Sequence, residues 1–237
     1  MVKNKGTLSL PKKYSIQLAE ETGIHIGDGS LGCYKSVGKV QWLYGIHLHA
    51  IEDKKYSEFV KRLVFKLYNL SPYEKIQGKC VSLIYTRKEL VKFKQSLGLP
   101  LGKKRNIVIP SWVFSKHSFL KSCVRGIVDT DGGIRFRKPF RSNIHKYPEI
   151  KISTISEELA IQLHDVFIDF GLSPNIGFEF KSENSKVYYV NLNGVSNVEK
   201  YISIFGFSNP KHQNKYSFWK RYGYYTKNDM KSGGAEI

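Results

Sequence analysis

Cysteine, acid and long apolar runs are what this sequence has little of. Its three cysteines, Cys33, Cys80 and Cys123, are an odd number with no close pair. That argues against a disulfide framework and a cysteine-rich zinc site, and predicts reduced core residues. No apolar run nears the roughly 20 residues that cross a bilayer, and Met1 to Lys13 has no continuous apolar stretch of the signal-peptide kind. The expectation is a soluble, intracellular protein with no membrane partner, in the cytoplasm or nucleoid of a prokaryote, an organelle being the alternative. Acid is scarce as well: 20 Asp and Glu stand against 38 Lys and Arg, a formal charge of +18. Such a surplus attracts polyanions over many ångströms, so nucleic acid is the first partner to consider, although an anionic surface of any kind attracts bases. What is present is an ordinary globular composition, 41% hydrophobic over 237 residues, enough for one large domain or two small ones.

The chain repeats itself. Gly23-Ile24-His25-Ile26-Gly27-Asp28-Gly29 is echoed by Gly126-Ile127-Val128-Asp129-Thr130-Asp131-Gly132 at an offset of 103 residues. Leu70-Ser71-Pro72 returns as Leu172-Ser173-Pro174, and Leu97-Gly98-Leu99 with Lys103 returns as Phe205-Gly206-Phe207 with Lys211. Three markers in one order at nearly one offset mark a duplication. It divides the chain into a first half, 10–100, a linker, 101–114, a second half, 115–220, and a C-terminal extension, 221–237, whose last residues, 232–237, are expected to fray.

The pattern between the markers predicts the same elements twice. A helix ending near Asp28 gives way to Gly29–Val37 and then to Val40–Leu48, where alternation of period two reads as a strand with one buried face. Tyr56, Phe59, Val60, Leu63, Val64 and Leu67 follow the i, i+3, i+4, i+7 spacing of an amphipathic helix. A weak strand at 73–77, a strand at 79–87 and a helix at 89–97 complete the half. The second half reads alike, with helices at 116–130, 156–170 and 195–205 and strands near 133–138, 149–154, 175–181 and 186–193. Each half is therefore αββαββα, an α+β fold with helices on one face of an antiparallel sheet and the other face free for a partner. The alternation places Ile134, Phe136, Ile150 and Ile152 inward and Arg135, Arg137, Glu149 and Lys151 outward.

Asp28 and Asp131 each end a helix and precede a glycine, Gly29 or Gly132, which is suited to a left-handed cap. A carboxylate there faces the negative end of the helix dipole, costing up to about 1 kcal/mol, and a divalent cation would reverse the sign. Asp-Gly is a common turn pair, and one copy would be read as a turn. Two copies, with Gly23 and Gly27 matched by Gly126 and Thr130 at i, i+4, predict two helices close enough to bring the aspartates together.

These residues resemble the LAGLIDADG homing endonucleases, in particular the monomeric kind with two motif copies. Glu21–Gly29 and Val124–Gly132 occupy the nine motif positions, the first copy departing at Ile26, where an acid is frequent. The resemblance implies two pseudo-symmetric halves forming a saddle-shaped, antiparallel platform in the DNA major groove. It implies a metal-dependent double-strand break in a double-stranded site of roughly 20 base pairs, in the service of intron mobility, with one strand cut per half by metal-activated water. Asp28 and Asp131, with the carbonyls of Gly27 and Thr130, would hold Mg²⁺, with Mn²⁺ or Ca²⁺ able to occupy the same site. Lys103 or Lys104 and, in the second half, Lys211 match the lysines that stabilise charge on the scissile phosphates. His49 and Thr154 stand where residues that organise water are found. Tyr34, Gln41, Arg87, Arg135, Arg137 and Lys151 are the candidate DNA contacts, Arg and Gln being able to read base edges bidentately. His47-x-His49 lacks the further ligands of a zinc site. The alternatives are a nucleic-acid binder on the same scaffold, such as an RNA maturase or a DNA-binding regulator, and a general phosphate-ligand or RNA-processing protein. Survival of both acids favours the nuclease. Without flanking splicing signatures an intron is the expected host, rather than an intein.

Overall fold

The computed structural model describes residues 6–36, 38–142, 144–182 and 185–226. The first half runs α1 (Ile16–Asp28), β1 (Gly29–Ser36), β2 (Lys39–His49), α2 (Lys54–Tyr68), β3 (Tyr73–Gln77), β4 (Cys80–Tyr85) and α3 (Lys88–Ser96). A 3-10 turn, Ser111–Ser115, leads to the second: α4 (His117–Asp131), β5 (Ile134–Arg137), β6 (Tyr147–Thr154), α5 (Glu157–Asp169), β7 (Pro174–Ser182), β8 (Ser185–Asn193) and α6 (Val195–Ile204). The sheets have one topology, β1-β2-β4-β3 and β5-β6-β8-β7, antiparallel throughout. Duplicated patterning has produced duplicated architecture, an α+β fold of two pseudo-symmetric halves.

A final helix, α7 (Pro210–Tyr222), was not expected. Its sequence has little amphipathic periodicity, and its start is set by Asn209, whose side chain caps the Lys211 N–H at 3.0 Å, and by Pro210 in the first turn. It takes in the opening of the anticipated C-terminal extension. Trp219 is buried, stacks on Phe136 and donates from its indole to the Lys146 carbonyl at 3.0 Å. Residues 227–237, including the end expected to fray, and Val37, the expected end of the first strand, lie outside the described residues.

The halves meet through α1 and α4, and small residues decide how closely. A Cβ at Gly23 would stand 2.0 Å from the Cys123 carbonyl oxygen, and one at Gly126 would stand 2.4 Å from that of Glu20. Only glycine permits this backbone contact. One polar clasp crosses it: the Arg125 guanidinium binds both Glu20 oxygens at 3.0 Å and reaches the Phe205 carbonyl at 3.1 Å. Of the three cysteines only Cys123 is core, while Cys33 and Cys80 are half-buried on their sheet, and all three are free.

Each half closes its core differently. In the first, the fully buried Lys94 ammonium binds both Glu21 oxygens, at 2.5 and 2.7 Å, while Tyr44 and Tyr68 donate to the same carboxylate at 2.5 and 3.0 Å. In the second, Val124 occupies the position of Glu21, and Phe167, Tyr201 and Phe205 pack ring against ring at 5.1 to 6.1 Å.

Gly126→Ala is expected to cost about 2–3 kcal/mol or more by overpacking, roughly 5–10 °C in Tm. Lys94→Met leaves Glu21 buried without its cation and should cost about 3–5 kcal/mol. Thermal unfolding followed by circular dichroism checks both.

Candidate metal and nucleic-acid site

The contact between α1 and α4 ends at Asp28 and Asp131, the last residues of the two helices. Neither helix takes a left-handed cap at the expected glycine: Gly29, φ −82°, opens β1 directly, and Gly132, φ −136°, is followed by Gly133, φ 135°, before β5 begins. The expected handedness is wrong, and these glycines serve close approach instead. A Cβ on Gly29 would meet the His25 Cα at 2.5 Å, and one on Gly132 would lie 2.9 Å from the Lys151 carbonyl oxygen.

The two aspartates lie within each other's field. Burial, and then the charge of Asp131, push the Asp28 carboxyl up to about 7; burial pushes Asp131 up to about 6, against the pull of Lys104. An acidic pair that resists ionisation, placed at two helix ends that favour cations, fits a divalent ion. A cation of the chain's own already sits there. The Lys104 ammonium donates to the carbonyls of Ile26, at 2.9 Å, and Gly27, the carbonyl that the resemblance assigns to metal. Burial holds Lys104 below its ordinary value, against the fields of Asp131 and Asp28. Among the described residues no three His, Cys, Asp or Glu side chains cluster as a metal cage. The donor set is therefore two carboxylates, backbone carbonyls and whatever oxygens a ligand brings, which is the habit of Mg²⁺ and related hard cations.

A cavity of about 250 Å³ opens beside the pair, lined by Gly27, Lys104, Ile107, Asp131, Ser153 and Thr154. Lys104 and Thr154 thus join Asp131 at the cavity. The Thr154 hydroxyl accepts from the Ser156 N–H at 3.1 Å, so its oxygen is partly committed to the turn. Lys103, its neighbour in the chain and the residue that matches Lys211 in the repeat, is exposed. The linker explains the choice: Ile107 and Ile109 are buried, and Gln162 accepts from the Ile109 N–H at 2.7 Å, which fixes the register of the segment that carries Lys104.

His49 is spent on its own loop, its Nδ1 accepting from the N–H groups of Ile51 at 3.3 Å and Glu52 at 3.1 Å. His47 is bridged between Ser30 and Ser82, at 3.1 and 3.0 Å, on the open sheet face. Lys211 lies near Asp28, lowering its carboxyl, but is tied at 2.8 Å to Asp53. Asp53 is a site residue that the sequence did not reveal. Its sole signal was its position 103 residues before the Ser156 N-cap. The Asp129 carboxylate was noted as part of the motif without a role; it accepts from the N–H groups of Ser208 at 2.7 Å and Asn209 at 3.1 Å, anchoring the loop that leads into α7, the helix that carries Lys211.

Outside the cavity the sheets present the expected face. Ile134, Phe136, Ile150 and Ile152 are buried, while Arg135 and Arg137 are exposed. Glu149 shares their face but is covered, its carboxylate 2.9 Å from Arg137. Lys151 is half-buried with its ammonium 4.4 Å from the centre of the Tyr189 ring. Tyr34 and Gln41 are cross-strand partners and both exposed. Arg87 is not a strand residue, since β4 ends at Tyr85 and Arg87 immediately precedes α3.

Residues 118–206 match the family described as the LAGLIDADG-like domain. The whole chain resembles solved structures of I-DmoI with DNA and Mn (TM-score 0.58, 16% identity, 81% of this chain and 97% of that one) and of I-GzeII with its DNA target (0.58, 11%, 95% and 94%). The second half thus matches the LAGLIDADG-like domain, and the chain shares the fold of these two solved structures. Among curated proteins, the chain is 29% identical over 198 residues to the replication factor C small subunit of Methanocaldococcus jannaschii. It spans 82% of its own length in that match and about a tenth of the relative's.

The raised carboxyls set a pH dependence. The folded protein holds protons on Asp28 that the unfolded chain releases near pH 4, so without divalent ions this residue destabilises progressively from about pH 4 to about pH 7. Asp28→Asn should therefore be as stable as the parent near pH 4 and more stable above pH 7, by on the order of 1–3 kcal/mol. Millimolar Mg²⁺ should narrow that gap by stabilising the parent alone. Tm against pH, with and without Mg²⁺, reads this directly, and a gap that widened toward acid would contradict it.

Proposed function

We propose that this protein is a site-specific LAGLIDADG endonuclease that makes a divalent-ion-dependent double-strand break in DNA, in the service of intron mobility. The observation that carries the proposal is the pair Asp28 and Asp131, carried at the ends of two touching helices, with Lys104 within the field of both and a basic sheet face on either side. The solved relatives named I-DmoI and I-GzeII were captured on DNA, I-DmoI also with Mn or Ca.

In this reading the chain acts as one pseudo-twofold monomer on a site of roughly 20 base pairs. Arg135, Arg137 and Lys151 in one half, and Tyr34, Gln41 and Arg87 in the other, face the major groove and its phosphates. Asp28 and Asp131, with the carbonyls of Gly27 and Thr130, would hold the divalent ion, Mg²⁺ by preference, which when bound would supply positive charge at the scissile phosphate and a more acidic water. Lys104 and Lys211 bring positive charge to the phosphate oxygens as a water oxygen adds to phosphorus and the bond to one sugar oxygen breaks. Thr154 and Ser153 line the cavity beside Asp131 and offer hydroxyls to ordered water. Lys103 and His49 have no part in this step. An RNA maturase on the same scaffold would need the basic faces but neither carboxylate.

The test is cleavage of a plasmid carrying the host allele that lacks the inserted element. The long curated relative contains a similar segment as a tenth of its length, so in-frame hosts belong in the panel beside intron hosts. Mg²⁺-dependent linear product is expected, with a fall of at least about 10³-fold for Asp28→Asn or Asp131→Asn and of about 10²–10³-fold for Lys104→Met. Binding of the same DNA should weaken steeply with salt in parent and variants alike. If Asp28→Asn and Asp131→Asn leave every nucleic-acid activity intact, the nuclease reading fails and the binder remains.

A further inference from the structure

We infer that Asp53 is a positioning residue for Lys211, and that it makes the two lysines of the site unequal; the inference rests on the endonuclease reading above. Asp53 and Ser156 stand at the N-caps of α2 and α5, at the same 103-residue offset as the two motif aspartates. Ser156 does the ordinary work of that position, accepting from the Leu159 N–H at 3.2 Å while donating to the Ile107 carbonyl at 2.7 Å. Asp53, a residue type equally suited to the task, gives its helix no side-chain bond at all.

Its carboxylate is directed elsewhere. One oxygen accepts from the Lys211 ammonium at 2.8 Å and from the Asn209 amide at 2.9 Å, and the other accepts from the His49 N–H at 3.2 Å. The residue is buried, 6% exposed. A carboxylate is withdrawn from water on a side chain of capping type, and the cap is forgone; Lys211 is the charge that compensates it. Asn209 completes the clamp by accepting from the Lys211 backbone N–H at 3.0 Å, while Asp129 fixes Asn209 through its N–H at 3.1 Å. Both ends of Lys211 are thereby held.

Lys104 is held by a different chemistry. Its ammonium rests on the carbonyls at the end of α1, dipoles rather than a full charge. The position that corresponds to Asp53, Ser156, has no charge to offer, and its hydroxyl reaches the linker at Ile107 instead. One phosphate therefore meets a lysine fixed in advance by a buried acid, and the other meets a lysine free to leave its carbonyls. Fixing a long side chain before the reaction removes an ordering cost from the step it serves. The two strands should be cut at different rates, with Asp53 governing one of them.

The experiment is single-turnover cleavage with Mg²⁺ by the full chain, each DNA strand carrying its own label so that two rate constants are read. Asp53→Asn is expected to slow one strand about tenfold and leave the other within twofold. In a Lys211→Met background the same change should add nothing, because Asp53 acts through that lysine. Asp53→Ser places the second half's capping side chain on α2, which offsets part of the lost ion pair, and it should still slow the same strand. The unaffected strand is an internal standard against loss of folded protein. Equal slowing of both strands by folded Asp53→Ser, or a further loss in the Lys211→Met background, overturns the inference. A parent chain that cuts neither strand of any host allele overturns the endonuclease reading itself.

Discussion

Everything in this molecule depends on how closely two helices touch. With Gly23 and Gly126 at the crossing, the α1 and α4 backbones meet without side chains between them, and two carboxylates carried at the helix ends share one small volume. That placement withdraws Asp28 and Asp131 from water at the negative ends of two helix dipoles. The strain is electrostatic and local. Lys104 relieves it in part from within the chain, and a hard divalent ion would relieve it further. A wider crossing would leave two ordinary, solvated aspartates with no reason to bind anything.

Around this contact the two halves share a fold without sharing its means. Glu21, Lys94, Tyr44 and Tyr68 form a dry ionic centre in the first half; the second answers with Val124 and a cluster of aromatic rings. Asp129 of the second motif copy anchors the loop before α7, whereas its counterpart Ile26 is a core residue. Asp53 binds a lysine and Ser156 caps a helix. Duplication kept the backbone, which hydrophobic patterning and close packing specify, and let the polar devices diverge.

The legible parts were those with a period or a repeat behind them. Alternation along β5 and β6 placed Ile134, Phe136, Ile150 and Ile152 correctly, since a strand with one buried face has little freedom of register. The less legible parts depend on where a non-repetitive segment comes to rest. Lys103 and Lys104 are indistinguishable by composition, and only the burial of Ile107 and Ile109 turns the second inward. His49 looked available for chemistry, but the loop beside it claims its ring nitrogen. Helix α7 was missed because its stability comes from an Asn-Pro start and a few aromatic contacts rather than from an apolar stripe.

For Asp28 and Asp131, the sequence by itself determined that they are a matched pair on two helices with small-residue faces. It determined the α+β class, the basic open face and the family resemblance, because each is written in residue identity and spacing along the chain. Tertiary structure alone decided which cations stand beside the pair. Lys104, Lys211 and Asp53 lie 76, 183 and 25 residues from Asp28, on three separate segments, and their ordering follows from packing that no local pattern encodes. The physical reason is range: periodicity is a property of neighbours in sequence, whereas a charge acts on whatever the fold brings within a few ångströms.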